Sequence, residues 1–277
     1  MEELEIFEKV KWHPFSSLGF TSSLLDIDKY PVMYTWATLI LITVLALAAR
    51  YTLLHPHSIA HHITLKYVRA FIDLVKNSFD VVIYKHFAFI TAIFTFILVS
   101  NCIVLIPGME EPTKNINTTL ALALISIVYI QYAAIRAHGL IPYLNEYFKT
   151  PLPVFSQPIP AGIVAKLLFF VSRSIFFILN IVIALALFPI ELLGLFAKIL
   201  SLAFRLFGNI FGGSVVSTIW AKFRSGSIII QSIAFLSGVN LIIVLFFGLF
   251  EGCIQAFVFT ILSLTYLSMA VRQQHEA

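Results

Sequence analysis

The chain has 277 residues, of which 60% are hydrophobic and 12% charged, with a formal net charge of +4 at pH 7. Soluble domains carry about 25% charged residues, so a chain this apolar cannot cover a surface that faces water, and the composition excludes a soluble protein. Its apolar runs are long and continuous, unlike the short alternating segments of a membrane β-barrel. The sequence therefore predicts an all-α integral membrane protein with about five to six membrane helices.

The N-terminal part predicts a polar segment, one span and a surface helix. Residues 1–33 are polar and acidic, without the basic start of a signal or transit peptide. The first span is predicted at 34–54. Apolar residues recur at helical spacing within the basic stretch 55–85, which we expect to lie on the membrane surface as an amphipathic helix. The positive-inside rule places this stretch inside and the N-terminus outside.

Residues 86–188 are predicted to hold the middle membrane helices and their loops. Continuous apolar runs indicate spans near 87–106 and 118–135. A further apolar segment, 163–188, either crosses the membrane or packs at its surface, and the sequence leaves both open. We expect Pro189 to end or kink this segment because proline removes a helical hydrogen bond.

The last part, 189–277, predicts a strongly tilted helical hairpin with a short C-terminal tail. Its two apolar runs would extend roughly 45 and 66 Å as helices, whereas the hydrocarbon core of a bilayer is about 30 Å thick. Helices this long fit the bilayer if they are strongly tilted and lie along the side of another molecule in the membrane.

An arginine stands midway along the first helix of this hairpin. Arg205 cannot shed its proton, and a charge at this depth costs about 3 kcal/mol or more. Glu191 and Lys198 precede it at intervals of seven residues and share its face, and Ser201 and Asn209 lie one turn to either side. This polar stripe predicts a wet or protein-facing side. An arginine that only snorkels or packs is the alternative.

Three glycines follow the arginine at once: Gly208, Gly212 and Gly213. Two of them form a small-xxx-small pattern, which lets another helix approach closely. The pattern predicts tight packing beside the buried charge.

A second polar stripe runs along the last helix, where Asn240, Glu251 and Gln255 share one face with Gly248. Asn240 and Gln255 are also typical of hydrogen bonds between helices. Glu251 can take up and release a proton. A fixed cation on one helix that faces a titratable acid on another is what a proton path requires.

Other chemistries have little support. Cys102 and Cys253 lie in apolar runs and are expected to be packing residues. The histidines near the first span lack a carboxylate or cysteine ligand set, so we expect no metal. The sequence has no nucleotide fingerprint, so we expect no cofactor, no nucleic-acid partner and no enzymatic activity of the chain by itself.

Several stretches resemble the F-type ATP synthase subunit a family, in that family's order. The run Ser201–Gly213, SLAFRLFGNIFGG, resembles its signature helix, and Ile254–Ser268 resembles its final helix. Residues 96–108, 111–119 and 189–191 also fit, so the resemblance covers roughly residues 85–272.

The resemblance implies a stator subunit beside a ring of small hairpin subunits, subunit c, each with a carboxylate at mid-membrane. It further implies contact with the peripheral-stalk subunit b and membrane lipid, and an indirect link to the catalytic head. Protons would enter and leave through two offset half-channels. Arg205 matches the family's essential arginine, and Gln255 its companion glutamine. We expect a multi-pass protein of the bacterial cell membrane with a cytoplasmic C-terminus.

Two positions depart from the family pattern. An acid or histidine is common nine residues after the arginine and seven before the glutamine, where this chain has Ser214 and Gly248. Glu251, one turn further on, is the candidate replacement in the inlet half-channel. A stand-alone channel or secondary transporter is the alternative function, but it would usually show internal repeats and broken helices. A purely structural scaffold would leave both polar stripes unexplained.

Overall fold

The computed structural model describes residues 11–12, 27–55, 58–106, 108–147, 163–225 and 238–272. These ranges are almost entirely helical, apart from the short antiparallel pair β1 (Lys11–Trp12) and β2 (Ile27–Asp28). The helices are α1 (Lys29–Leu53), α2 (Ile59–Phe79), α3 (Tyr84–Cys102), α4 (Ile116–His138), α5 (Leu140–Tyr147), α6 (Ile163–Ser225), α7 (Val239–Val244) and α8 (Glu251–Arg272). Short 3-10 turns occupy Ile103–Leu105 and Pro112–Lys114, and a π-helical turn occupies Leu245–Phe250.

Five helical stretches in the described ranges are long and apolar enough to cross a membrane. They are Lys29–Leu53, Tyr84–Leu105, Ile116–His138, Val171–Phe223 and Leu241–Arg272. The predicted all-α membrane fold with about five to six membrane helices is therefore confirmed.

The core lies where α3, α4, α8 and the middle of α6 meet. Fully buried apolar side chains interlock there, among them Ile97 of α3, Ala123 of α4, Leu206 of α6 and Phe259 of α8. Helix α1 contributes little to this core, because Thr38 is its only buried residue. Its many exposed apolar side chains suit contact with lipid.

Helix α2 occupies most of the stretch 55–85. Ser58 caps its start, since the serine hydroxyl accepts a hydrogen bond from the backbone N–H of Ala60 at 3.3 Å. Phe71 and Val75 form its buried face and pack with Ile90 of α3. The helix is thus amphipathic and docks on the bundle, while its placement at a membrane surface stays a prediction.

Helix α6 runs for 63 residues and continues through Pro189. The helix does not end at Pro189, which was one of the two expected effects, because the segment 163–188 and the arginine helix form one element. Proline removes one N–H donor, and the apolar residues on both sides keep the helical conformation. Among the α6 side chains that the structure describes, the central core is reached from the second half of the helix, through residues such as Ile199 and Leu206, whereas Ile181 and Leu185 are exposed.

The last apolar run is not one regular helix. Gly238 has a positive φ of 67° and begins α7, and the π-helical turn Leu245–Phe250 separates α7 from α8. A π turn inserts one extra residue into a helix and is frequent at functional sites. It changes which side of the helix faces the bundle immediately before Glu251.

Candidate functional site

Arg205 lies on α6 with a half-buried side chain. It stands between buried residues of the same helix, Ala203 and Leu206. Within the part of the chain that the structure describes, its guanidinium has neither a hydrogen-bond acceptor nor an ion-pair partner. A charge in this position calls for a partner from outside those residues.

The face of α6 beside Arg205 is open. A Cβ atom built on Gly208 or on Gly212 meets no atom within 4 Å. Both glycines lie within two turns of the arginine on the same side of the helix. A shallow strip without side chains therefore runs next to the charge. Gly213 differs, since its Cβ would lie 2.9 Å from Cδ1 of Phe247 in the π turn, so this glycine lets the two helices approach.

Asn209 and Gln255 join α6 to α8 one turn from the arginine. The amide Nδ2 of Asn209 donates a hydrogen bond to Oε1 of Gln255 at 2.8 Å. Gln255 is only 2% exposed, and its buried Nε2 has no hydrogen-bond partner among the described residues. The two stripes predicted from the sequence thus meet at this pair, next to Arg205.

Glu251 lies one helical turn before Gln255, at the first residue of α8. Its side chain is half-buried, and its buried Oε2 atom has no hydrogen-bond partner within the described ranges. A carboxyl oxygen in this state can accept a proton without first losing a strong partner.

A cavity of about 340 Å³ lies on the other side of Arg205 from Glu251. Two charged residues of α6, Glu191 and Lys198, line it, and Nζ of Lys198 lies 5.4 Å from the ring centroid of Tyr266 on α8. The remaining lining comes from α4, α5, α6 and α8: Ile127, Ile130, Gln131, Ala134, Tyr143, Gly194, Leu195, Met269 and Ala270.

Three polar residues of this cavity escaped the sequence analysis. The Tyr143 hydroxyl donates a hydrogen bond to Oε1 of Gln131, which closes α5 against α4, and Tyr266 stacks under the lysine. An isolated tyrosine or glutamine in an apolar helix gives no signal until the neighbouring helix is known.

A second missed cluster lies beside Glu251. Asn101 of α3 is fully buried. Its Nδ2 donates to the backbone carbonyl of Gly252 at 3.2 Å, and its Oδ1 accepts from the hydroxyl of Thr113 at 2.8 Å. Asn101 lies in residues 96–108, one of the stretches that resemble the family. A single asparagine in an apolar run was the sequence feature that could have indicated this cluster.

Two other predicted residues lie apart from these groups. The Ser214 hydroxyl donates to the backbone carbonyl of Phe211 in its own helix at 3.0 Å. Asn240 belongs to α7, but its side chain lies outside what the structure describes. Their roles, like the other site assignments, stay predictions.

A profile of the family described as ATP synthase A chain matches residues 32–175 and 159–268. The chain belongs to this family. The resemblance seen in the sequence is thereby confirmed. The family is one of non-catalytic membrane subunits, and the five apolar helical stretches fit a multi-pass membrane protein. The two matched stretches overlap at residues 159–175, which include the start of α6.

Relatives from several bacteria carry the name ATP synthase subunit a. The chain is 34% identical to the protein of Syntrophobacter fumaroxidans over 68% of its own length. It is 29% identical to those of Moorella thermoacetica and Trichlorobacter lovleyi, over 86% and 95% of its length. The alignments span 62% of the Syntrophobacter protein, less than two thirds, but 88% and 99% of the other two.

Proposed function

We propose that this chain is the stator subunit of a rotary ATP synthase that passes protons to and from a ring of carboxylate-bearing hairpins. The observation that carries the proposal is Arg205. Its half-buried charge lies beside an open strip at Gly208 and Gly212 and has no partner within the described residues. A ring helix that approaches this strip would bring a carboxylate to the guanidinium.

The fixed charge explains how ring carboxylates would exchange protons. Two opposite charges about 4 Å apart attract by roughly 4 kcal/mol at an effective dielectric constant near 20, which corresponds to about three units of proton affinity. A protonated carboxyl group that reaches Arg205 is therefore driven to release its proton. The same charge repels a proton that would otherwise leak directly from one half-channel to the other.

Two polar regions lie on opposite sides of this charge. Glu251 stands about 6 Å along the helix axis from Gln255, whereas Tyr266 in the cavity lies about 16 Å away in the other direction. This offset supports an inlet that passes Glu251 and an outlet through the cavity that holds Glu191 and Lys198. Protons can cross only by riding the ring between the two.

The partners and the orientation follow from the same assignment. The subunit c ring would lie against the open side of α6 and α8, with these helices tilted along its curved flank. Subunit b would contact the chain elsewhere, and the catalytic head would be coupled only through the ring and stalks. The basic residues after the first span favour an N-terminus outside and a cytoplasmic C-terminus in a bacterial cell membrane.

Purification tests the partnership. The tagged chain should co-purify with a ring of small carboxylate-bearing hairpins and an ATP-hydrolysing head. A chain that is isolated alone and still conducts ions would favour the stand-alone channel or transporter instead.

Substitution tests the inlet. Glu251→Gln should slow passive proton flux through membranes stripped of the head, because the amide cannot take up a proton. Glu110→Gln is the matched control, since Glu110 lies on the α3–α4 loop in an ion pair with Lys114 at 3.3 Å. Equal flux in the Glu251→Gln and Glu110→Gln membranes would remove Glu251 from the route.

A further inference from the structure

The side chain of Asn101 joins three separate parts of the chain. It belongs to the last turn of α3 and binds the backbone of α8 through its Nδ2 and the 3-10 turn Pro112–Lys114 through its Oδ1. That turn packs against α1, α3, α4 and α6, and both Asn101 and Thr113 are 0% exposed. The cluster is therefore held from several sides.

The direction of each hydrogen bond follows from its chemistry. The carbonyl of Gly252 can only accept, so it fixes Nδ2 of Asn101 on that side of the amide. Oδ1 must then face Thr113, whose hydroxyl donates to it. The Thr113 hydroxyl, which can donate or accept, donates in this orientation and gives the buried Oδ1 its hydrogen-bond partner.

Glycine is required where the asparagine meets α8. A Cβ atom on Gly252 would lie 2.8 Å from Cβ of Asn101, and one on Gly248 would lie 2.7 Å from Cγ1 of Val104. The backbone of α8 and of the π turn before it therefore lies directly against side chains at the end of α3 and in the 3-10 turn that follows it. Glu251 stands between these two glycines.

We propose that Thr113, Asn101 and Gly252 form a clamp that positions the carboxyl group of Glu251 in the inlet half-channel. Because the π turn interrupts the regular helix before Glu251, the orientation of the first turn of α8 depends on its contacts with neighbouring helices. The clamp supplies such a contact at Gly252, the residue that follows Glu251. The inference rests on the proposed function of Glu251 as a proton relay. None of the three clamp residues carries a proton itself.

The charged and titratable groups around the clamp are few. Glu110, Glu111 and Lys114 lie on the same loop as Thr113, and Arg205 lies on α6 beyond Gln255. Cys102 and Cys253 contact each other through their side chains on α3 and α8. Thr113 itself is not ionisable, so a change in the pH dependence of proton flux on altering Thr113 that persists in a Glu111→Gln background would report a displaced Glu251.

Thr113→Val tests the clamp with little change in size. The valine cannot donate to Oδ1 of Asn101, so the buried amide oxygen is left without a hydrogen-bond partner and the contact of Asn101 with α8 is weakened. We expect passive proton flux through head-stripped membranes to fall about five- to tenfold, the effect of one lost buried hydrogen bond, and the pH at half-maximal flux to move. Thr113→Ser retains the hydroxyl and should restore both. Thr43→Val is the matched control, because that exposed hydroxyl on α1 lies outside the site and donates to the carbonyl of Leu39 in its own helix at 2.8 Å.

The pH profile separates positioning from a purely structural role. A poorly assembled complex would lose flux by the same factor at every pH, without a shift of the midpoint. Asn101→Leu serves as the second variant, since leucine is similar in size and introduces no ionisable group but can make neither hydrogen bond. If neither variant shifts the pH midpoint while Glu251→Gln lowers the flux, the proposed clamp is wrong, and the proposed role of Glu251 as a proton relay is unaffected. If Glu251→Gln itself leaves the flux unchanged, the relay and the clamp fail together.

Discussion

Replacement of Gly252 by alanine should loosen the contact between α3 and α8. The new Cβ would lie 2.8 Å from Cβ of Asn101, whereas carbon atoms pack favourably at about 3.5–4.0 Å, so the helices must separate by roughly 0.7 Å. Overpacking of this kind costs about 1–3 kcal/mol, and the bond from Asn101 to the Gly252 carbonyl is worth about 1 kcal/mol more. The higher helix propensity of alanine returns about 1 kcal/mol. The net expected loss is thus about 1–3 kcal/mol.

The assay measures the thermal midpoint of the purified complex. The signal is the ATP hydrolysis that a ring inhibitor blocks, and its loss on heating reports unfolding. One kcal/mol corresponds to about 2–4 °C in a domain of this size, so the Gly252→Ala complex should melt several degrees lower. Gly194→Ala is the matched control, because a Cβ there meets nothing within 4 Å and alanine should stabilise the helix slightly. A Gly252→Ala complex as stable as the Gly194→Ala complex would refute the close packing.

Three further predictions concern other parts of the molecule. Cys102 and Cys253 contact each other, so a copper–phenanthroline oxidant should join α3 to α8 by a disulfide in intact membranes. Failure to cross-link under conditions that label both thiols would contradict this helix pairing. Burial raises the pKa of Glu111 above its usual 4.5, so the folded chain binds this proton more tightly than the unfolded chain, and stability falls as the pH rises from about 4.5 through the raised pKa. Glu111→Gln should therefore raise the thermal midpoint at pH 8 and have little effect near pH 4.5, and an equal effect at both would argue against the shift. Tyr143→Phe removes the hydrogen bond to Gln131 and should open the cavity. We expect a polar thiol reagent to modify an introduced Leu195→Cys several-fold faster in that background, and an unchanged rate would show that α5 does not close the cavity.

Periodicity within a single helix predicted the residues of each stripe, but not how the helices meet. The heptad spacing placed Glu191, Lys198 and Arg205 on one face, and the structure places the first two in one cavity. The contact between Asn209 and Gln255 depends on the relative register of α6 and α8. Neither helix encodes that register in its own pattern, because it is set by packing against α3 and α4.

Long-range polar contacts and local irregularities of the helices could not be predicted from the sequence, for different reasons. Asn101 and Gly252 are 151 residues apart, so nothing near either one indicates the other. The π turn has the same apolar composition as the helices around it and shows no breaker at its start. Pro189 is a strong local signal, yet the continuous helix around it prevails because proline disturbs only one turn.

Proton-driven ATP synthesis in an Arg205→Ala variant is the most direct test of the central claim. The complex should assemble with its ring, and the detached head should hydrolyse ATP at the normal rate. Synthesis should be abolished, because no fixed charge would oblige the ring carboxylates to release their protons. Synthesis at the wild-type rate in the fully assembled Arg205→Ala complex would contradict the account.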